Sequence, residues 1–526
     1  MSRRLTRSDL VDAALLWLLR IDWDGESYYF SSYPVDVTDA DGNVYQYTGG
    51  LGELILDEQI GLMSVSPELQ TVAVEVVFPI DVALRISQGH DLSEATGELA
   101  KWREGDAYED RQVKIIGSVV EPEYGTDGEP VTFSLEENPY DDTNVVPKAS
   151  QSVSEATWPS TSYTVPEKSI GLYYPEPFGQ PGIYVSEAGA SSTGRGSPTV
   201  IVDTTAANTD RVVIANGRVQ ATTVTIVDED AATEVFAVTL GTDGLGQAVS
   251  SVDLTGAAVI NRTQDLWVAW HSGPAMLGVT GAGSLLRKML LRSSLRLDLG
   301  RIEAVVPYLD RFDVGGYYDA AIVPFEWLQD NLIPLLPIEV VTGPDGLWPL
   351  LWPHSPRRED AIFTIEDGVN ATRVSQVTYD RGRKEVVNEL RAEYAIDGTA
   401  GALRTLTHGP KAISGDVSQT TSRHSQLSAA RPHGTVSRSF ETDIVWTDRT
   451  MRAILSWQII AQAFPTRIAT YELGAEADWL ELGAQVIVID AGVHLDTVAV
   501  IMDKEHTDTG LQAYTVLVYE DIEDKQ

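Results

Sequence analysis

The chain has 526 residues, 43% of them hydrophobic and 22% charged, with 77 Asp and Glu against 38 Lys and Arg and no cysteine. A net charge of −39 repels nucleic-acid phosphate and anionic lipid alike, which excludes DNA-gripping and stable membrane-surface binding and leaves proteins as the expected partners. The missing cysteines exclude disulfides, thiolate metal sites and thiol nucleophiles, and the length calls for several folded domains.

Ser2-Arg3-Arg4-Leu5-Thr6-Arg7, followed by the apolar run Ala13 to Leu19, has the outline of a twin-arginine export signal. Asp9 and Asp12 interrupt it, and no small-residue cleavage site precedes Trp23 and Asp24. The expectation is instead a leading amphipathic helix capped by Ser8, with Leu10, Ala14, Trp17 and Leu18 on one face, feeding into a strand. No other stretch approaches the ~18 uninterrupted apolar residues of a membrane span.

From Leu16 to about Glu137, Asp24-Gly25, Asp41-Gly42-Asn43 and Asp127-Gly128 sit between alternating apolar runs and predict hairpin tips. Val72, Val74, Val76 and Phe78 alternate strictly until Pro79, after which an amphipathic stretch from Val82 to Leu99 interrupts the sheet. Asn138 to Thr164 reads as a polar linker. Short β runs follow at Thr199–Val202, Val212–Ile214, Val224–Val227 and Val235–Leu240, punctuated by Gly, Asn-Gly and Asp-Gly and ending near Trp270.

Helical periodicity returns after Ser284, where Leu285, Leu286, Met289 and Leu290 share a face, and from Pro324 to Leu336. Strands are predicted at Ile338–Val341 and Leu350–Trp352 across the Gly343-Pro344-Asp345-Gly346 turn. Beyond them come Val374–Tyr379, Glu389–Tyr394, a helix from Thr447 to Phe464 stopped by Pro465, and strands at Val486–Ile489, Val498–Met502 and Tyr514–Tyr519. The expected fold is mainly β with α+β parts and multi-domain. It comprises a β-barrel or sandwich domain with a leading helix at 1–150, an inserted β-domain at 151–275, a small α/β domain at 276–372, and a β-domain with one helix at 373–526.

Reactive constellations are not found in the sequence. Carboxylate pairs such as Glu136-Glu137, Asp141-Asp142 and Glu359-Asp360 are expected on a solvated surface. Asp36, Asp39, Asp41 and Asn43 surround Gly42 without EF-hand spacing and fit a hairpin turn better than a calcium loop. The eight histidines lack His-x-x-x-His spacing; His424 and His433 are the one close pair, and His271 after Trp267 and Trp270 reads as packed or hydrogen-bonded. Gly278 to Gly283 lacks the lysine of a phosphate loop and reads as a capped helix start. Pro356-Arg357-Arg358 and Arg381-Gly382-Arg383-Lys384 are either salt-bridge donors in an interface or a solvated patch. The expectation is no enzyme, with no catalytic, cofactor-binding or metal-binding residues and no cofactor.

Phe325-Glu326-Trp327-Leu328-Gln329-Asp330-Asn331-Leu332-Ile333-Pro334-Leu335-Leu336-Pro337, followed by Gly346-Leu347-Trp348-Pro349-Leu350-Leu351-Trp352, resembles the helix-then-strand segment of tailed-virus hub proteins of the tail tip or baseplate. Val386 to Tyr394, the Trp446 to Phe464 helix and Leu482 to Val488 are similar to pieces of a later β-domain in such proteins. Leu19 to Leu51, ending in Tyr47-Thr48-Gly49-Gly50-Leu51, resembles the N-terminal domain of siphovirus and gene-transfer-agent hubs, and Tyr173 to Gly179 resembles a short motif of related tail proteins. These segments span the chain apart from the β insertion around 185–265.

The resemblance implies a virion protein made in the host cytoplasm. It would be a homotrimer whose two tube-like β-domains per subunit form a pseudo-sixfold ring between the hexameric tail tube and a threefold tip. Its implied partners are the distal tail protein, the tape-measure protein and a tip or fibre protein, with viral DNA only in transit through the lumen. Acidic side chains lining that lumen would let phosphate slide past; a salty habitat or a GC-rich genome is the competing account of the same charge. Two other readings stay open. One is a secreted carbohydrate-binding or glycan-cleaving β protein, with twelve Trp and twenty Tyr as stacking platforms. The other is a receptor-binding tip whose β insertion carries recognition.

Overall fold

The computed structural model describes residues 15–519, apart from 53, 55, 60–70, 127, 138–143, 206–207, 277, 382–384, 398–400 and 507–510. The fold is mainly β and multi-domain. Strands Leu15–Trp23, Glu26–Ser31, Val35–Thr38, Val44–Gly49, Thr71–Val76, Thr96–Arg103, Gln112–Glu123 and Val131–Glu137 form one eight-stranded sheet. Its first hairpin turns at Asp24 and Gly25, with φ of 52° and 77°; two consecutive left-handed residues match the twist of the flanking strands.

The expected leading helix falls largely outside the described residues, and from Leu15 onward the chain is strand. Leu19, Ile21 and Trp23 pack into the main core of this sheet with Phe30, Val74 and Leu135, whereas Leu16 and Leu18 pack on the opposite face with Val37, Tyr47 and Trp102. A strand buried on both faces is apolar at successive positions, and so loses the alternation that distinguishes it from a helix. After Val44–Gly49, Leu51 N donates to Ser31 O and Gly52 N to Glu75 O, so this segment bridges the Glu26–Ser31 strand to Thr71–Val76, the last strand of the sheet, and curls it around its core. The predicted stretch from Val82 to Leu99 divides into a helix at Val82–Ser87 capped by Asp81, a short turn at Leu92–Glu94, and a strand from Thr96 that contains Leu99.

The described part of the expected linker is packed. Val153 and Trp158 are buried with Tyr174, Val200 and Val249, and Trp158 Nε1 donates to the Tyr174 hydroxyl at 3.0 Å. Two apolar anchors in a polar stretch suffice to dock it. The following residues form a sandwich of two four-stranded sheets around Ile214, Val224, Ile226, Val252, Val268 and Trp270.

The Ala282–Leu290 helix starts at Gly281, where Ser284 Oγ accepts from the Gly281 N–H, and packs on the Leu299–Leu309 helix. The approach is close because Gly283 has no Cβ; one placed there would lie 2.3 Å from Val306 O. Beyond the helical segment 324–335, hairpin Ile338–Val341/Trp348–Leu351 turns where the sequence placed it. The largest core extends from Val146 to Phe464 and joins these helices to Leu390, Ala392, Tyr394 and the Asp448–Gln462 helix.

Two sheets complete the chain. A four-stranded one has the order Gln419–Thr421, Gly401–Gly409, Glu389–Asp397, Ser437–Glu441. The other runs Phe363–Glu366, Gln485–Asp490, Leu495–His506, Gln512–Val518, Thr466–Leu473, Ala371–Arg373. Its outer strands, Phe363–Glu366 and Ala371–Arg373, are neighbours in the chain, and Gly368 N donates to Ala371 O between them, so the sheet is nearly closed into a barrel. The predicted strand Val374–Tyr379 is broken: after Val374 N donates to Thr470 O, regular pairing lapses until Thr378, where Ser375 Oγ accepts the Thr470 N–H and the Arg373 guanidinium donates to the Ser375 carbonyl.

Candidate functional site

Most residues singled out in the sequence are absorbed by structure; Glu137, expected on a solvated surface, is instead buried, because it falls on one of the inward-facing positions of the Val131–Glu137 strand. Asp39 Oδ1 accepts from the backbone N–H of Asp41 (3.0 Å) and Asn43 (2.8 Å), which closes a hairpin tip between Val35–Thr38 and Val44–Gly49. His271 lies 3.0 Å from the Thr225 hydroxyl, and His433 Nε2 3.2 Å from the Ser428 hydroxyl. His424 stands edge-on to Phe464. Arg358 pairs with Asp496 at 2.7 Å and Arg357 with Glu359 at 3.4 Å, all four exposed. Asp141-Asp142 and the Gly382-Arg383-Lys384 part of the second basic run lie outside the described residues. Among the described residues no group of three or more His, Asp or Glu is placed to hold a metal ion, and no helix is long and apolar enough to cross a membrane.

The features that organise the molecule are junctions between its parts. The first is made by backbone. Leu56–Gln59, which follows the N-terminal hairpins, pairs antiparallel with Leu495–His506 of the nearly closed C-terminal sheet, in the register Leu56↔His506 to Gln59↔Asp503. Leu56 is fully buried in the N-terminal core, so one short strand belongs to the core of one module and the sheet of the other.

A buried ion pair stands beside this seam, within the C-terminal module. Lys504, in the strand that receives Leu56–Gln59, is buried; its Nζ donates to the carbonyls of Asp478 (2.6 Å) and Leu480 (3.2 Å) and lies 3.5 Å from Asp478 Oδ1. Gln512 Nε2 donates to the same carboxylate. Burial opposes ionisation of Asp478, but Lys504 beside it prevails and holds the carboxyl below its usual range. Replacing either partner would strand the other's charge in a desolvated place.

A second junction ties the segment Tyr184–Glu187 to the Asp448–Gln462 helix. Asp448, at the first turn of the Asp448–Gln462 helix, is buried and accepts from the Tyr184 hydroxyl at 2.8 Å, the Tyr394 hydroxyl and the Glu187 N–H at 3.1 Å. Burial, reinforced by the bonds to Asp448, pushes both phenols up. A third is the buried Glu176, which accepts from Arg292 and from the Tyr318 hydroxyl. The Tyr173 to Gly179 motif is therefore a packing element: Tyr174 bonds Asp243 at 3.1 Å, Glu176 bonds Arg292, and Phe178 is fully buried. Sequence reasoning missed these networks because their members are far apart in the chain and no local spacing announces them.

His408 is also buried, with Nδ1 2.9 Å from the Thr420 hydroxyl and no hydrogen-bond partner at Nε2; burial pushes its pKa down to about 4.

No family's sequence profile and no curated protein matches the chain. Among solved structures it is similar to a tail protein from Neisseria meningitidis MC58, with a TM-score of 0.38, 10% identity, and 96% of this chain and 97% of that one covered. It is also similar to prophage tail protein gp18 from Listeria monocytogenes EGD-e, with a TM-score of 0.36, 9% identity, and coverage of 94% and 97%. A third similarity is to a chain of a native gene transfer agent virion, with a TM-score of 0.35, 12% identity, and coverage of 64% and 87%. The solved structures that this chain resembles are thus phage tail proteins and a gene transfer agent particle.

Proposed function

We propose that this chain is a structural, non-enzymatic protein of a virion tail, acting as a hub at the tail tip or baseplate. In this reading it assembles as a homotrimer, contacts the distal tail ring, the tape-measure protein and a tip or fibre protein, and surrounds the channel through which DNA leaves. The observation that carries the reading is the shared strand Leu56–Gln59, which fixes two curled β-modules in one register. A subunit that contributes two such modules to a ring must hold them at a constant angle. The ordered hub-like segments of the sequence and the strong acidity of the chain support the same reading. The four regions 1–150, 151–275, 276–372 and 373–526 are part of the proposal, the second as a projecting domain inserted between the modules and the helical centre.

Native mass spectrometry of the purified chain, with negative-stain imaging, tests it. The expected result is a trimer, or a concentration-dependent ring with a central opening. A stable monomer that binds oligosaccharide would overturn the reading in favour of a carbohydrate-directed protein.

A further inference from the structure

The four-stranded sheet ends on Ser437–Glu441, and among the described residues no strand pairs with its far side. This strand runs parallel to Glu389–Asp397, with Leu390 opposite Arg438 and Ala392 opposite Phe440. Glu389 N donates to Val436 O at 3.1 Å, and Thr442 N donates to Glu393 O at 3.0 Å. The period of two therefore turns the backbone groups of the even-numbered residues inward. Ser437, Ser439 and Glu441 present their N–H and C=O groups to the open side. A row of this kind is a template for another strand.

A cavity of about 650 Å³ lies beside the same edge. The Asp448–Gln462 helix packs across Glu389–Asp397 and Gly401–Gly409, the two strands that precede this edge strand in the sheet order. The gap is lined by apolar Leu335, Leu390 and Phe440. Asp330, Glu441 and Asp443 also line it, against Arg438 as the one cationic side chain. A strand added next to Ser437–Glu441 would point every second side chain into this gap.

We propose that this edge and groove bind an extended polypeptide segment of a partner protein by strand addition. Main-chain bonds to Ser437, Ser439 and Glu441 supply affinity, apolar side chains at alternate positions fill the groove over Leu335 and Phe440, and Lys or Arg residues meet Asp330, Glu441 and Asp443. The proposal stands apart from the tail reading, because it rests on this edge alone.

The probe is a fluorescein-labelled peptide, Lys-Lys-Val-Thr-Val-Thr-Val-Lys-Lys, with a control in which Glu replaces every Lys, both titrated by fluorescence anisotropy. Ser439→Pro removes an outward N–H and leaves the ladder to Glu389–Asp397 whole, a place where an edge strand tolerates proline. The lysine peptide should bind the full chain, and Ser439→Pro or the glutamate control should weaken binding at least about tenfold. Hydrogen exchange on the unaltered chain supplies a readout that does not depend on the variant folding: the bound peptide should slow exchange in 437–441. The proposal is overturned if the lysine peptide fails to bind, if it binds without protecting 437–441, or if the glutamate control binds as tightly. Self-association that Ser439→Pro abolishes while the peptide has no effect would assign the edge to a second copy of the chain and overturn it as well.

Discussion

Replacing Asp448 by Ala removes the acceptor of two buried tyrosine hydroxyls and one backbone N–H at the point where Tyr184–Glu187 meets the Asp448–Gln462 helix. A buried donor left without an acceptor costs about 1–3 kcal/mol, and a negative charge in a helix's first turn contributes about 0.3–1 kcal/mol more. The Glu187 N–H is only partly buried and regains water, and removing a desolvated carboxylate returns part of the loss. The net expectation is a loss of about 3–4 kcal/mol, whereas Tyr184→Phe, which deletes one bond and strands no donor, costs about 1 kcal/mol.

A multi-domain chain does not unfold in one step, so the suitable assay is native-state hydrogen exchange resolved by peptide. Segments covering 183–187 and 448–462 should exchange about 100- to 1,000-fold faster in Asp448→Ala. Deleting both hydroxyls in that background, as Tyr184→Phe with Tyr394→Phe, should restore part of the protection, because the unpaired donors are gone. The reasoning is refuted if Asp448→Ala costs no more than Tyr184→Phe, or if the triple variant is less protected than Asp448→Ala. The two phenols also set a pH dependence. Both titrate above the ordinary tyrosine value of 10.0, so the unfolded chain loses its protons first, and this junction weakens as pH rises past that value.

Gly283→Ala places a methyl group 2.3 Å from Val306 O and must push the Ala282–Leu290 and Leu299–Leu309 helices apart. A loss of about 1–3 kcal/mol is expected, read as faster exchange in both helices, with Gly300→Ala, whose nearest neighbour is 3.4 Å away, as the milder control. His408, pushed from 6.5 to about 4, binds its proton later in the folded chain than in the unfolded one. Stability therefore falls by up to about 3 kcal/mol as pH drops from 6.5 to 4, and an NMR titration of the imidazole should show a midpoint near 4, not near 6.5.

Signals confined to a few residues were legible in the sequence. Asp24-Gly25 announces its hairpin because two left-handed residues in succession are tolerated by few other pairs. The Asp448–Gln462 helix is bracketed by Thr447 as its cap and Pro465 as its stop. Leu15–Trp23 misleads because burial on both faces erases period-two alternation, and the stretch around Val153 and Trp158 misleads because two anchors are too sparse to register as a pattern. The Asp448, Glu176 and Lys504 networks had no sequence signature at all, since each joins residues that only the folded chain brings together.

The strand shared between Leu56–Gln59 and Leu495–His506 has a consequence for biosynthesis. Leu56–Gln59 leaves the ribosome long before Leu495–His506, so the early module must wait, with a backbone edge unsatisfied, until that later strand has been made. A product truncated before residue 495 can complete its first hairpins but never this seam. Docking of the two modules is thus a late step of folding, gated by the synthesis of Leu495–His506.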